Sequence, residues 1–177
     1  MKKLIVGLLA CIVVVSTSGA ESTALKNGVG WGFQINQYQD DFGLGLTMTS
    51  PYVRDAFAFR LRGNLMFNEN VRVNETDWDS YYNFTAGLVG VAGTVNESIR
   101  LYGEGGLIGL FPSSKFSGDA FILGGYGLFG FEFHMDARRN YFIELGGVGT
   151  DARKDKIPNR PIYSNGMLIS TGFRITL

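Results

Sequence analysis

The stretch FAFRLRGNL, residues 57–65, alternates apolar and polar side chains. The two faces are Phe57, Phe59, Leu61 and Leu65 on one side, and Ala58, Arg60, Arg62 and Asn64 on the other. A period of two is that of a β-strand whose two sides meet different environments. The stretch therefore predicts a strand with one apolar side and one charged side.

The same alternation recurs along the chain, and clusters of Gly, Pro, Asn, Asp and Ser separate the segments. It predicts eight strands, at about 28–37, 42–50, 55–67, 81–92, 99–111, 121–135, 141–150 and 164–177. No helical pattern interrupts the series. The predicted fold is all-β, an eight-stranded antiparallel up-and-down transmembrane β-barrel, and it occupies one domain over residues 21–177.

Short and long connections alternate between these segments. Those at 50–55, 93–98 and 136–140 are short, whereas those at 68–80, 112–120 and 151–163 are long. In an antiparallel meander, alternate connections lie at the same end of the sheet, so one end is expected to carry the short connections and the other end the long ones. The connection at 37–41 is the exception, because it is short but belongs to the end with the long connections. Short turns at one end and long loops at the other are typical of outer-membrane barrels.

Charged residues show which side of each strand faces lipid. An arginine on the lipid face costs about 2–4 kcal/mol near the bilayer midplane, so Arg60 and Arg62 are expected to point inward. The same phase on the other strands places five more charged residues in the lumen, namely Arg100, Glu104, Glu132, Glu144 and Arg174.

Buried charges are tolerated when they are paired. The expected pairs are Arg60 and Arg62 with Glu104 and Glu144, and Arg100 and Arg174 with Glu132. The interior of an eight-stranded barrel is just wide enough for side chains to fill. These seven residues, the lumenal ion network, are therefore predicted to plug the lumen.

The first twenty residues have the pattern of a secretory signal peptide. Lys2 and Lys3 precede the apolar stretch 4–15, and Ala20 offers a small residue for cleavage. An alternative is a lipoprotein signal that would make Cys11 an acylated residue. Cleavage at Ala20 would leave 14 basic and 16 acidic residues, with no basic excess to indicate nucleic-acid binding.

Catalytic and cofactor motifs are weak. His134 is the single histidine, and Asp136 stands where a His-x-Ser pattern of outer-membrane lipid hydrolases would have serine. The glycines at 103–106 precede no helix that could present amides to a phosphate. No Cys/His cluster indicates a metal. The sequence predicts no cofactor and no enzymatic activity.

The last eight residues, STGFRITL, resemble the C-terminal β-signal of bacterial outer-membrane proteins. The residues that carry the resemblance are Ser170, Gly172, Phe173, Ile175 and Leu177. The family most often ends in phenylalanine where this chain has Leu177. With the eight strands and the signal peptide, the chain resembles a small OmpA/OmpX-type outer-membrane barrel of Gram-negative bacteria.

This resemblance implies recognition by the barrel assembly machinery and closure of the barrel by the final strand. It also implies a monomer surrounded by outer-membrane lipid and lipopolysaccharide, with a structural or interaction role at the cell surface. Two alternatives stay open: a narrow pore, and a soluble lipocalin-like carrier with the Phe-rich face inside. The acidic loop 68–80 and the basic loop 151–163 are expected to pair with each other.

Overall fold

The computed structural model describes residues 27–72, 75–96, 98–159 and 161–177. The expected signal peptide, residues 1–20, and Cys11 lie outside the described residues. No helix in this part of the chain is long and apolar enough to cross a membrane.

Eight β-strands close into a barrel in the order in which they occur along the chain. They are β1 (Gly30–Tyr38), β2 (Asp41–Thr49), β3 (Phe57–Arg72), β4 (Glu75–Val95), β5 (Ile99–Phe111), β6 (Ile122–His134), β7 (Arg139–Gly149) and β8 (Gly166–Thr176). Every neighbouring pair is antiparallel, and β8 pairs with β1 to complete the ring. The predicted fold class is confirmed.

The prediction of a loop over 68–80 is wrong. β3 and β4 continue to pair from Asn68↔Asp79 up to Arg72↔Glu75. β2 pairs with β3 only as far as Phe67, so this extension is a two-stranded hairpin beyond the rim of the barrel. The backbone groups that face each other pair within the hairpin, and those on its outer edges are left for water, which permits a strand where the polar composition indicated a loop. We call residues 68–72 and 75–79 the projecting hairpin.

The connections divide the barrel into two ends. The turn end carries residues 50–56, 96–98 and 135–138, together with the start of β1 and the end of β8. The loop end carries residues 39–40, 112–121 and 150–165, and the projecting hairpin. Short and long connections thus alternate as the sequence predicts, apart from the one between β3 and β4.

The outer surface of the barrel is apolar, whereas its interior holds buried polar and charged side chains beside a cluster of buried apolar ones. Large hydrophobic side chains are exposed on all eight strands, among them Phe33, Leu46, Phe59, Leu88, Leu107, Leu123, Leu145 and Phe173. Arg60 and Glu144 in the lumen have an exposed fraction of 0%. This arrangement is the inverse of a water-soluble domain, whose exposed apolar patches rarely exceed a few hundred Å².

Candidate functional site

Four charged side chains from three strands meet at the centre of the lumen. Arg60 and Arg62 come from β3, Glu104 from β5 and Glu144 from β7, and all four are buried. Their positions on the inward phase of each strand follow from the pleat, which sends alternate residues to the same face. We call these four residues the central quartet.

Each arginine of the central quartet contacts both glutamates. Arg60 Nη1 lies 2.7 Å from Glu104 Oε2 and 3.3 Å from Glu144 Oε1. Arg62 Nη2 lies 2.5 Å from Glu104 Oε2, and Arg62 Nη1 lies 2.5 Å from Glu144 Oε2. Two positive and two negative charges therefore neutralise each other, with the short charge-assisted hydrogen bonds that compensate for desolvation.

Two tyrosines complete the hydrogen bonding of the glutamates. The Tyr102 hydroxyl donates to Glu144 Oε1 at 2.5 Å, and the Tyr126 hydroxyl donates to Glu104 Oε1 at 2.7 Å. The sequence analysis did not include these tyrosines in the site. A sequence pattern that could have identified such a residue is a tyrosine on the inward face of one strand with a glycine at the paired position of the next strand. Tyr102 fits this pattern, because it is paired in register with Gly130.

Gly130 provides the space that the Tyr102 ring occupies, because a Cβ atom at this position would collide with that ring. We expect Gly130→Ala to displace Tyr102 from Glu144 and to lower the free energy of unfolding by about 1–3 kcal/mol, the usual cost of overpacking. Gly105→Ala is the matched control, since the nearest atom to its Cβ would be 3.7 Å away. Urea unfolding of both refolded variants in micelles measures the difference. Equal stability of the two variants would contradict this role of Gly130.

The other three predicted charges lie nearer the turn end. Arg174 Nη1 is 2.7 Å from Glu132 Oε1, and Arg100 Nη1 is 3.2 Å from Glu132 Oε2. Arg174 Nη2 also approaches Glu144 Oε1 at 3.9 Å, which connects this trio to the central quartet. The structure thus brings together all seven residues that the sequence analysis placed in the lumenal ion network.

An amide layer contacts the central quartet through Gln34, whose Oε1 accepts a hydrogen bond from Arg62 Nη1 at 3.3 Å. Gln34 Nε2 and Asn36 Nδ2 both donate to Asn64 Oδ1 at 2.8 Å. Asn64 Nδ2 in turn donates to Asn83 Oδ1 at 2.6 Å. These four side chains are buried, and they fill the lumen with neutral hydrogen-bonded groups.

Aromatic side chains cover the lumen at the loop end. Phe116 from the 112–121 connection and Tyr163 from the 150–165 connection pack on Tyr81 of β4, with ring centroids 6.3 and 5.2 Å from that of Tyr81. The two connections also contact each other, because the Gly118 N–H donates to Asp155 Oδ1 at 2.8 Å. We call Tyr81, Phe116 and Tyr163 the aromatic cap.

Basic residues of the loops reach the projecting hairpin. Lys154 Nζ donates to Asn68 Oδ1 at 2.8 Å, and burial lowers the pKa of Lys154 because it disfavours the charged ammonium. Lys115 from the other long connection lies 3.6 Å from Asp79 Oδ1. The expected contact between the 68–80 and 151–163 segments is therefore present at Asn68 and Lys154.

The residues of the predicted assembly signal divide between the two faces of β8. Ser170 and Gly172 point inward, and the Ser170 hydroxyl donates to Asn36 Oδ1 at 2.6 Å in the amide layer. Phe173, Ile175 and Leu177 are exposed on the outer surface. Recognition of this segment by an assembly machinery stays a prediction.

His134 and Asp136 lie at the turn end of the barrel. His134 is partly buried at the end of β6. Asp136 accepts hydrogen bonds from the backbone N–H groups of Arg138 and Arg139, which lower the pKa of its carboxyl. This contact stabilises the turn. Within the described ranges no group of three or more His, Cys, Asp or Glu residues could hold a metal ion.

Two solved structures have the same architecture, whereas no family model and no curated protein matches the chain. The N-terminal β-barrel domain of Pseudomonas aeruginosa OprF superposes with a TM-score of 0.61 at 12% identity, covering 86% of this chain and 98% of that one. The outer membrane protein OprG from Pseudomonas aeruginosa gives 0.55 at 13% identity, covering 87% and 98%. The chain therefore has the closed eight-stranded fold of these outer-membrane barrels.

Proposed function

We propose that this protein is a non-enzymatic integral outer-membrane β-barrel with a charge-plugged lumen and a structural or interaction role at the cell surface. The observation that carries the proposal is the inverted distribution of polarity. The large apolar side chains face outward on all eight strands, and the ion network lies inside. Likeness in fold to two outer-membrane proteins supports the same location.

A lipid environment suits both the surface and the backbone of this barrel. Because β8 pairs with β1, every strand has two hydrogen-bonded neighbours, as a structure within hydrocarbon requires. The loop end would then face outward towards lipopolysaccharide, and the turn end would face the periplasm. We propose a monomer, with the barrel assembly machinery as its partner during biogenesis.

Three groups of side chains support a closed lumen. The central quartet, the amide layer and the aromatic cap are each buried. The guanidinium and carboxylate groups of the central quartet hydrogen-bond to one another, so they do not depend on water in the lumen to compensate for their charges. A narrow pore would need these contacts to break. A soluble carrier of lipocalin type would need the Phe-rich face inside, and that face is exposed.

Membrane fractionation combined with a heat-modifiability gel tests the location. We expect the protein in the outer-membrane fraction, with an unheated form that migrates faster than the boiled one because the barrel stays folded in detergent. Recovery of native protein in the soluble periplasmic fraction would contradict the proposal.

Conductance in planar bilayers separates the plugged barrel from the pore. We expect the wild-type barrel to insert without steady ion conductance. The matched control is the double variant Arg62→Ser with Glu144→Ser, which removes one cation and one anion from the central quartet and leaves the net charge unchanged. Steady conductance of the wild type, at the level of this double variant, would favour the pore.

A further inference from the structure

The projecting hairpin has two outer edges that no third strand covers. β2 pairs with β3 only up to Phe67, and β5 pairs with β4 only up to Tyr82. The isolated bridges between other parts of the described chain also lie elsewhere. Within the ranges that the structure describes, the two strands of the hairpin therefore pair only with each other.

The edge formed by residues 68–72 of β3, which we call the open edge, is the less crowded of the two. On its side of the barrel the chain between β1 and β2 consists of residues 39–40 alone. The other edge lies beside the 112–121 connection, from which Lys115 reaches Asp79 at 3.6 Å. Another polypeptide can therefore approach the open edge more easily.

The backbone of the open edge is suited to pairing with a further strand. In an antiparallel ladder, alternate residues direct their N–H and C=O groups away from the neighbouring strand. Proline, lysine or a β-bulge usually protects such an edge. The open edge contains neither proline nor lysine, and its pairing with β4 runs without a register shift from Asn68↔Asp79 to Arg72↔Glu75.

Exposed carboxylates near the open edge indicate the charge of the partner. Glu69 lies on the edge itself, Asp77 lies on the paired strand and Asp40 lies in the 39–40 connection, and all three are exposed. None of them forms an ion pair with a residue that the structure describes. Two copies of this edge would place like charges opposite each other, which destabilises paired strands. Lysine or arginine side chains are complementary to it.

We propose that the open edge binds an extended segment of another protein, rich in lysine or arginine, which adds to β3 as a further strand. Backbone hydrogen bonds hold the segment, and the exposed carboxylates favour a basic sequence. This proposal names a partner for the interaction role, and it rests on the proposed function for the location of the loop end outside the cell. Binding in micelles does not depend on that location, so failure of one is distinguishable from failure of the other.

Fluorescence polarisation with the full barrel, refolded in maltoside micelles at about 0.1 M salt, tests the proposal. The probe is a fluorescein-labelled peptide of six residues that alternates valine and lysine. One control peptide has glutamate in place of lysine, and another carries a methyl group on every backbone nitrogen. We expect saturable binding of the lysine peptide, a loss of about tenfold or more on methylation because several hydrogen bonds disappear, and no binding of the glutamate peptide.

A shortened hairpin tests the position of the site. Joining Glu69 to Trp78 through Asn-Gly removes residues 70–77 and keeps the pair Glu69↔Trp78 next to a favourable two-residue turn. This variant should stay folded on the heat-modifiability gel and lose binding of the lysine peptide. Retained binding would overturn the site.

A pair of charge reversals keeps the test decisive even when the shortened barrel does not fold. We expect Glu69→Lys to weaken binding of the lysine peptide about threefold or more, and Asp119→Lys, at an exposed position of the 112–121 connection, to leave it unchanged. Equal weakening by both variants, or equal binding of the methylated peptide, would show charge attraction alone and overturn strand addition. Absence of saturable binding up to roughly 1 mM of the lysine peptide would also overturn it.

Discussion

Replacing Glu104 by alanine is expected to lower the free energy of unfolding by about 3–5 kcal/mol, the usual cost of removing one partner of a buried ion pair. Glu104 accepts hydrogen bonds from Arg60, Arg62 and Tyr126. Without it, two buried guanidinium groups share the single carboxylate of Glu144. Urea unfolding of the refolded barrel, followed by the fluorescence of Trp31 and Trp78, measures the loss.

Glu69→Ala is the matched control, because it makes the same change at an exposed position of the projecting hairpin. Its effect is expected to stay within about 0.5 kcal/mol, as for ordinary surface substitutions. Adding Arg62→Met to Glu104→Ala should recover part of the loss, since one arginine and one glutamate then remain. A stability of Glu104→Ala equal to that of Glu69→Ala would show that the ion network does not hold the lumen closed.

Replacing Leu177 by aspartate is expected to abolish assembly in cells while leaving folding in micelles nearly intact. Leu177 follows the last residue of β8, and its exposed fraction is 64%. Its side chain therefore contributes little to the lumen. A large loss in cells would come from recognition of the predicted assembly signal. Membrane fractionation and protease sensitivity measure assembly, and the heat-modifiability gel measures folding in micelles.

Ile162→Asp controls for the introduction of a charge, since Ile162 is an exposed residue of the 150–165 connection outside the signal. It should assemble normally. Deletion of Ile175–Leu177 should fail in both assays, because it also removes the pairing of Ile175 with Trp31 and Arg139. Normal insertion of Leu177→Asp in cells would refute the signal, and failure of the same variant in micelles would indicate a structural role instead.

The parts of the site that the sequence predicts are those with a large energetic preference for one face. An arginine on the lipid side is so unfavourable that Arg60 and Arg62 determine the phase of β3, and the same phase gives the partners on β5 and β7. Asparagine and tyrosine have a weaker energetic preference for the inner face over the lipid face. The phase of β3 places Asn64 on the inner side, but the hydrogen bonds of the amide layer and of Tyr102 and Tyr126 had no signal as strong as that of a charge.

The loop end was less predictable for a different reason. Phe116 and Tyr163 lie in irregular connections, where no period of two indicates a direction, and their packing on Tyr81 depends on three separate parts of the chain. The projecting hairpin extends beyond the last pairing of β2 with β3, and loop residues cover only part of it, as Lys154 does at Asn68. Composition there no longer separates a strand from a loop, which is why the 68–80 segment was misassigned.

The seam between β1 and β8 has a consequence for the order of folding. Seven ladders join strands that are adjacent in sequence, whereas the seam pairs Gly30 with Thr176 and Tyr38 with Leu168. Closing so long a loop costs more entropy than forming a hairpin, so we expect the seam to be the last ladder to form. The Leu177 N–H donates to Val29 O at 2.9 Å, so a short linker would be enough to join the end of β8 to the start of β1. A circular permutant opened within residues 150–165 would make the seam a local hairpin and leave β7 and β8 to close last. The position of the chain ends would thus determine which pair of strands closes the barrel last, while the folded barrel would stay the same.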